Sequence, residues 1–205
     1  MRANVSRSVA GAAIVGLLAA VLLVATPAGA GPFDLPGYAK ALTCAACHGA
    51  DGNSKSNAMP IIAGLDPAYF TKQIQAYAAG KRLSPEMEPY AKQVLNVGVV
   101  DVAAYFAAQP MQPTPIKADP AAVARGSAAS AQCVACHGPQ GKGNKAQLIP
   151  SLAGQPPGYL LEQIILFKQD RRNPGDPQLS AIKAFMRTLS DAQLADLAAY
   201  YAAQR

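Results

Sequence analysis

The sequence predicts an all-α protein built from two similar units. Residues 44–82 align with residues 133–172, and each segment is followed by a similar closing segment, "VVDVAAYFAAQ" (99–109) and "LADLAAYYAAQ" (194–204). Within these segments apolar residues recur at intervals of three and four, which is typical of helices, and no alternating strand pattern competes. A unit of roughly 80 residues has a small core and needs additional stabilisation.

The first 30 residues are predicted to be a secretory signal. Two arginines precede an unbroken apolar run at residues 9–25, and Ala28 and Ala30 are small residues of the kind that signal peptidase requires, so we expect cleavage after Ala30. An uncleaved membrane anchor is the alternative, although the run is slightly short for a span of about 20 residues. Either reading predicts an exported protein.

The mature chain divides into a first domain at 31–110, a linker at 111–120 and a second domain at 121–205. Four prolines between residues 110 and 120 preclude a helix there and favour an extended, fairly stiff segment. The first domain carries six basic and six acidic residues, whereas the second carries nine basic and five acidic ones. The positive charge of the second domain favours acidic partners.

Three features support individual helices. Pro67 and Pro157 stand where the first helical turn tolerates proline. Ser190 is a good N-terminal cap for the last helix. The third feature is an equivalent face on the second helix of each unit, formed by Tyr69, Gln73 and Tyr77 in one unit and by Tyr159, Gln163 and Phe167 in the other.

The chemistry of the chain is concentrated in two short motifs, "CAACHG" (44–49) and "CVACHG" (133–138), which contain all four cysteines and both histidines. A zinc site needs four ligands, and each motif offers three at most. A redox dithiol is expected beside the strands of a thioredoxin-like fold, and the sequence predicts none. Covalent attachment of haem explains both thiols and the adjacent histidine, because the thiols add to the vinyl groups and the histidine binds the iron.

The chain resembles the di-haem class I cytochromes c, and specifically the cytochrome c4 family. The resemblance covers nearly the whole mature chain and rests on the pattern CxxCHG…G…P..AG…Y…Q…F/Y…R in both halves, together with the closing "AAYF" and "AAYY". It implies two tandem class I cytochrome c domains, each a small helical fold around one covalent haem c, and electron transport in the periplasm. The implied haem attachment residues are Cys44, Cys47, Cys133 and Cys136, and the implied axial ligands are His48 and His137.

The resemblance also implies roles around each haem. Pro60 and Pro150 match the proline whose carbonyl accepts a hydrogen bond from the second nitrogen of the haem histidine, which fixes the ring. Independently of the resemblance, Gln73 and Gln163, and Arg82 and Arg172, occupy equivalent positions in the two units, and their side chains suit the anionic haem propionates. For the two arginines a solvated helix end is the alternative.

The two halves differ at the second axial ligand, which is often methionine in electron-transfer haems. In the first domain Met87 is the preferred candidate over Met59 and Met111. In the second domain the aligned residue is Ile182, which cannot bind iron.

The second domain contains a single methionine, Met186, four residues beyond that position and after an insertion that includes "NPGDP". Either Met186 binds the iron, or it packs in the core. In the second case the iron is five-coordinate or bound by another group such as Lys183. A basic region of five residues surrounds this segment and is expected to attract an anion: Lys168, Arg171, Arg172, Lys183 and Arg187.

The predicted function is that of a periplasmic electron carrier, not an enzyme unless the second haem is open. The alternatives are the cytochrome subunit of a dehydrogenase complex that oxidises a sulfur compound or an alcohol, and an enzyme or small-ligand sensor that uses an open second haem. The expected partners are redox proteins: a donor dehydrogenase or bc1-type complex, and a terminal oxidase or other acceptor. Peripheral membrane association is compatible with this function, and no nucleic-acid partner is expected.

Overall fold

The computed structural model describes residues 35–205, so the predicted signal sequence at residues 1–30 lies outside the described residues. Within this range the chain is helical, without an extended strand, as the sequence predicts. No helix of this part is long and apolar enough to cross a membrane. The α-helices in chain order are α1 (Tyr38–His48), α2 (Pro67–Ala78), α3 (Met87–Val97), α4 (Val99–Ala107), α5 (Pro120–Ala129), α6 (Ala131–His137), α7 (Pro157–Lys168), α8 (Ser180–Thr188) and α9 (Asp191–Ala203).

The helices pack in two groups, α1–α4 and α5–α9. The core of the first group centres on Val102, Tyr105 and Phe106 of α4, each no more than 1% exposed. The second core is smaller and centres on Leu194 and Tyr201 of α9. Each group therefore has its own apolar centre, built around its last helix.

Glycines allow the first helical segment of each group to cross the last helix at close range. A Cβ atom added to Gly126 of α5 would lie 2.0 Å from the carbonyl oxygen of Asp196, and one added to Gly37, just before α1, would lie 2.3 Å from that of Asp101. The same aspartates form ion pairs, since Asp196 binds Arg125 at 2.7 Å and Asp101 binds Lys40. The repeated contact fixes α1, which carries the first CxxCH motif, and α5, which directly precedes the helix of the second motif, against the closing helix of each group.

The helix that follows each motif begins at a proline, Pro67 in α2 and Pro157 in α7, as expected from the sequence. In α2 the carboxylate of Asp66 caps the helix by accepting from the amides of Ala68 and Tyr69. At the same place before α7 stands Pro156, whose side chain makes no capping hydrogen bond. The second helix of each unit therefore begins at an equivalent proline but has a different N-terminal cap.

One glutamine holds the two groups together across a buried surface. The side chain of Gln155 accepts a hydrogen bond from the amide of Ile61 at 2.9 Å and donates to the Ile61 carbonyl at 2.7 Å. Beside it, Asn57 accepts from the amides of Gly158 and Tyr159, both at 2.9 Å. The side-chain amide of Gln155 therefore satisfies two backbone groups of the first helix group, the amide and the carbonyl of Ile61.

The proline-rich segment between the groups is fixed to both of them. The amide of Gln112 donates to Asn53 of the first group at 2.7 Å, and Asn53 donates in turn to the Pro110 carbonyl at 3.0 Å. The amide of Thr114 donates to the carbonyl of Gly154 in the second group at 2.7 Å. The segment is thus an ordered strap, because hydrogen bonds and proline both restrict it.

We expect the substitution Gln155→Leu, which introduces the residue found at the aligned position 65, to destabilise the protein. It leaves the buried amide and carbonyl of Ile61 without partners, at about 1–3 kcal/mol for each group. Thermal unfolding of the purified protein should show a lower midpoint. The matched control Gln112→Leu changes an exposed side chain and should stay within about 0.5 kcal/mol of wild type. Equal midpoints for Gln155→Leu and wild type would contradict this role.

Candidate haem sites and the arginine network between them

Each CxxCH motif forms the last turns of a helix. Helix α1 ends at His48 and α6 ends at His137, and the glycine after each histidine has a positive φ, 82° at Gly49 and 72° at Gly138. Glycine adopts this conformation without strain, so the helix stops directly after the histidine. In both motifs the first cysteine is half-buried and the second is exposed, and none of the four thiols is in a disulfide.

The imidazole of each histidine is held by a proline carbonyl. Nδ1 of His48 lies 2.9 Å from the Pro60 oxygen, and Nδ1 of His137 lies 3.0 Å from the Pro150 oxygen. Because a carbonyl oxygen can only accept, Nδ1 carries the proton and Nε2 keeps its lone pair. Burial lowers the pKa of His48, and the bond to Pro60 offsets this only in part. Burial also lowers the pKa of His137. Both rings are therefore neutral at pH 7, with one nitrogen available to a metal.

The first cysteine of each motif lacks the lowered pKa of a reactive or zinc-binding cysteine. Burial, with a smaller contribution from Cys47, raises the pKa of Cys44 to about 11, and burial also raises the pKa of Cys133. Reactive and metal-binding cysteines need a lowered pKa, since the thiolate is the active form. Across residues 35–205, no three side chains of His, Cys, Asp or Glu are grouped so as to hold a metal ion.

Two arginines meet at the surface between the helix groups and are buried there. Arg82 is 3% exposed and Arg172 is 7% exposed. Arg82 donates to Gln73 of its own group at 2.8 Å, and across the interface to Gln163 at 2.8 Å and to the hydroxyl of Tyr159 at 2.9 Å. The arginines are thus not solvated helix ends.

Arg172 repeats this arrangement in the opposite direction. It donates to Gln163 of its own group at 2.8 Å, and across the interface to the hydroxyl of Tyr69 at 3.1 Å and to Gln73 at 3.4 Å. Its buried Nε has no hydrogen-bond partner among the described residues. We call this set of six residues the arginine network: Arg82, Arg172, Gln73, Gln163, Tyr69 and Tyr159.

The arginine network carries positive charge that the described residues do not neutralise. Neither arginine forms a salt bridge to a carboxylate among residues 35–205. Burial acts to raise the pKa of Tyr159, yet the charges of Arg82 and Arg172 outweigh it and the pKa is lowered. Burying an unpaired charge costs several kcal/mol. The CxxCH motifs predict covalent haem, and haem carries two propionate carboxylates. The unpaired Nε of Arg172 and the excess positive charge fit such carboxylates.

The candidate methionine ligands occupy different positions in their helices. Met87 is the first residue of α3, is half-buried and packs against the first core. Met186 lies late in α8 and is also half-buried. Together with Ile182 and Phe185 it stands apart from the described residues that pack against the second core. The structure therefore does not place Met186 as a core residue.

Two expectations for the second domain are wrong. Lys183 is not available as an iron ligand, because its ammonium group binds the carboxylate of Asp170 at 2.5 Å and also the carbonyl of Asn173. The predicted basic region is not one surface either, since Arg172 and Lys183 are buried. Lys168 is bound to the carboxylate of Asp191 at 2.9 Å.

Sequence reasoning missed two residues whose side chains join separate parts of the structure: Gln155, which bonds to Ile61, and Asp170, which bonds to Lys183. Gln155 stands where the first unit has leucine, and Asp170 stands where it has Gly80. Asp170 has a φ of 55°, close to the 66° of Gly80, in a region where non-glycine residues are uncommon. A polar residue replacing an apolar residue or a glycine in one repeat alone is the signal that could have identified both.

Comparison with known proteins gives consistent results. A family model described as cytochrome c matches residues 123–202. The chain is 35% identical to a cytochrome c4 of Pseudomonas aeruginosa, over 80% of this chain and 85% of the relative. It is 34% identical to a protein of Stutzerimonas stutzeri named "Thiosulfate dehydrogenase electron acceptor", over 79% of each chain.

The fold agrees with that of a solved relative. The crystal structure of reduced recombinant cytochrome c4 from Pseudomonas stutzeri superposes with a TM-score of 0.73 at 30% identity, covering 82% of this chain and 97% of that one. The fold is thus the mostly helical class I cytochrome fold, and the similarity implies covalently bound haem c and electron transfer. Since the cytochrome c4 of Pseudomonas aeruginosa is 35% identical and is matched over 85% of its length, the chain belongs to the cytochrome c4 family.

Proposed function

We propose that the chain is a periplasmic di-haem electron carrier, with one haem held by residues 31–110, the other by residues 121–205, and the linker 111–120 between them. The observation that carries this proposal is the repeated contact between a motif histidine and a proline carbonyl, 2.9 Å in the first unit and 3.0 Å in the second. The signal sequence predicted at residues 1–30 supports export.

In this proposal haem supplies the reversible one-electron chemistry of iron, and the chain supplies attachment, orientation and charge. The four cysteines hold the two haems. Pro60 and Pro150 keep the histidine rings in the tautomer and orientation that direct Nε2 toward iron. Met87 in the first unit and Met186 in the second would each offer a thioether sulfur to the iron, and a methionine ligand raises the reduction potential.

The arginine network would hold propionate carboxylates of both haems. Arg82 and Arg172 carry the charge, and Gln73 and Gln163 orient the guanidinium groups by hydrogen bonds. Positive charge beside a haem favours the reduced iron, because reduction removes one positive charge from the metal. Since the arginine network has members from both units, it links the electrostatics of the two sites.

A second candidate function is that of the electron-accepting subunit of a dehydrogenase. The similarity to the protein named "Thiosulfate dehydrogenase electron acceptor" favours this candidate. The excess positive charge of residues 121–205 supports a donor or acceptor with an acidic surface. Rapid reduction by a thiosulfate dehydrogenase with thiosulfate would distinguish this function from that of a carrier between a bc1-type complex and an oxidase.

The haem content tests the main proposal. Intact-protein mass after denaturation should exceed the mature polypeptide by two haem masses, and reductive titration should consume two electrons per chain. The matched variant Cys133→Ser/Cys136→Ser should retain one covalent haem and accept one electron. A wild-type chain with a single haem, produced in a host that matures c-type cytochromes, would contradict the proposal.

The axial ligand of the first haem has its own test. The substitution Met87→Ala should give a high-spin signal from one haem and lower its reduction potential, because the thioether favours reduced iron. The fold should survive, since the haem stays covalently attached. Absorption and electron paramagnetic resonance spectra with redox titration measure both effects. The control Met59→Ala should leave both haems low-spin, and an unchanged spectrum in Met87→Ala would refute this ligand assignment.

A further inference from the structure

Helix α8 is held in place differently from its counterpart α3. Helix α3 buries Ala91 and Val94 in the first core. The one residue of α8 that is fully buried is Lys183, whose side chain is 3% exposed. Apolar packing therefore fixes the methionine-bearing helix of the first unit, whereas a buried charge is at the centre of the corresponding attachment in the second.

The buried charge is paired with the loop that connects α7 to α8. The ammonium group of Lys183 donates to the Asp170 carboxylate at 2.5 Å and to the carbonyl of Asn173. This pairing lowers the pKa of Asp170, and the hydrogen bond from Lys183 is the largest cause. Since burying an ammonium group without a partner is costly, α8 can leave this position only when the pair separates.

Asp170 has a backbone conformation that is unfavourable for a residue with a side chain, which suggests that its carboxylate has a role. Asp170 has a φ of 55°, and the first unit has a glycine at the aligned position, Gly80, with a φ of 66°. A side chain in this left-handed conformation costs roughly 1 kcal/mol relative to glycine. The second unit bears that cost at the residue whose carboxylate reaches the buried lysine.

Further polar contacts join the far end of α8 to α7. Nε of Arg187 donates to the Lys168 carbonyl at 3.2 Å, and the Lys168 ammonium group donates to the Leu189 carbonyl at 2.8 Å. The apolar face of α8, with Ile182, Phe185 and Met186, takes no part in these contacts and is half-buried. The polar contacts thus leave the apolar face of the helix for the proposed haem.

We propose that the Lys183–Asp170 pair is the positioning pair of the second haem: it holds α8, and with it Met186, so that the sixth ligand of that haem stays bound. This inference rests on the proposed function, in which Met186 is that ligand. Met186 follows Lys183 by one helical turn, so a local opening of α8 that separates the pair also releases the methionine.

The test measures ligand exchange in the oxidised, full-length di-haem protein. Neutral imidazole is the probe, because its entry does not depend on the charge that the substitutions remove. Paramagnetic NMR separates the two haems by their methyl resonances. In Lys183→Met and in Asp170→Gly, imidazole should bind the second haem at least about tenfold faster than in wild type, because each variant removes one member of the pair that joins the buried Lys183 side chain to the loop between α7 and α8. The first haem should be unchanged.

The two variants differ in their backbone effects, so one of them remains informative if the other folds poorly. Asp170→Gly relieves the left-handed backbone and reproduces the residue of the first unit, so faster exchange in this variant reflects the lost carboxylate. The matched control is Lys92→Met, which breaks the exposed Glu88–Lys92 pair on α3. It should leave exchange at both haems as in wild type.

Two outcomes would overturn the positioning role: wild-type exchange rates in both Lys183→Met and Asp170→Gly, or equal acceleration at both haems, which would indicate general destabilisation. Met186→Ala separates this failure from that of the proposed ligand. An unchanged second-haem spectrum in Met186→Ala would refute Met186 as the ligand. A changed spectrum in Met186→Ala, combined with normal exchange in the other variants, would refute the positioning pair alone.

Discussion

Two buried arginines at the interface between the helix groups determine how the rest of the structure must be arranged. Arg82 and Arg172 each bond to a glutamine of their own unit and to residues of the other, within 2.8–3.4 Å. Glutamine and tyrosine oxygens satisfy most of their N–H groups, but these partners are neutral. Burying these two charges without an anion is costly, and the propionates of the proposed haems would supply the missing anions.

The shared arginine network also accounts for the other hydrogen bonds between the two units. A shared network of charges needs fixed distances, and the interface supplies them through Gln155 on Ile61 and through the strap from Pro110 to Thr114. Within this frame the two units differ mainly at the methionine-bearing helix. The first unit packs α3 by apolar contact, whereas the second holds α8 by polar contact around Lys183. The two units thus share their interface but differ in the contacts that hold the methionine-bearing helix.

Local patterns could be predicted from the sequence because their chemistry is contained within short segments. The CxxCH motifs, the proline starts of α2 and α7, and the Ser190 cap depend on neighbours along the chain. The resemblance to cytochrome c4 added Pro60 and Pro150, whose carbonyls lie at the histidines. By contrast, the arginine network joins residues about 80 to 100 positions apart, such as Arg82 and Gln163, so no local pattern separates a buried arginine from a solvated one. The same limit made Lys183 look like an available ligand, since its partner Asp170 lies across an inserted loop.

The most direct measurement of the central claim is the pair of midpoint potentials in Arg172→Gln. The lost guanidinium belongs to the second unit but bonds to Tyr69 and Gln73 of the first. If the arginine network serves both haems, both potentials should fall relative to wild type, because a positive charge that favoured the reduced irons is gone. Potentials that stay unchanged, or a fall confined to one haem, would contradict a shared arginine network.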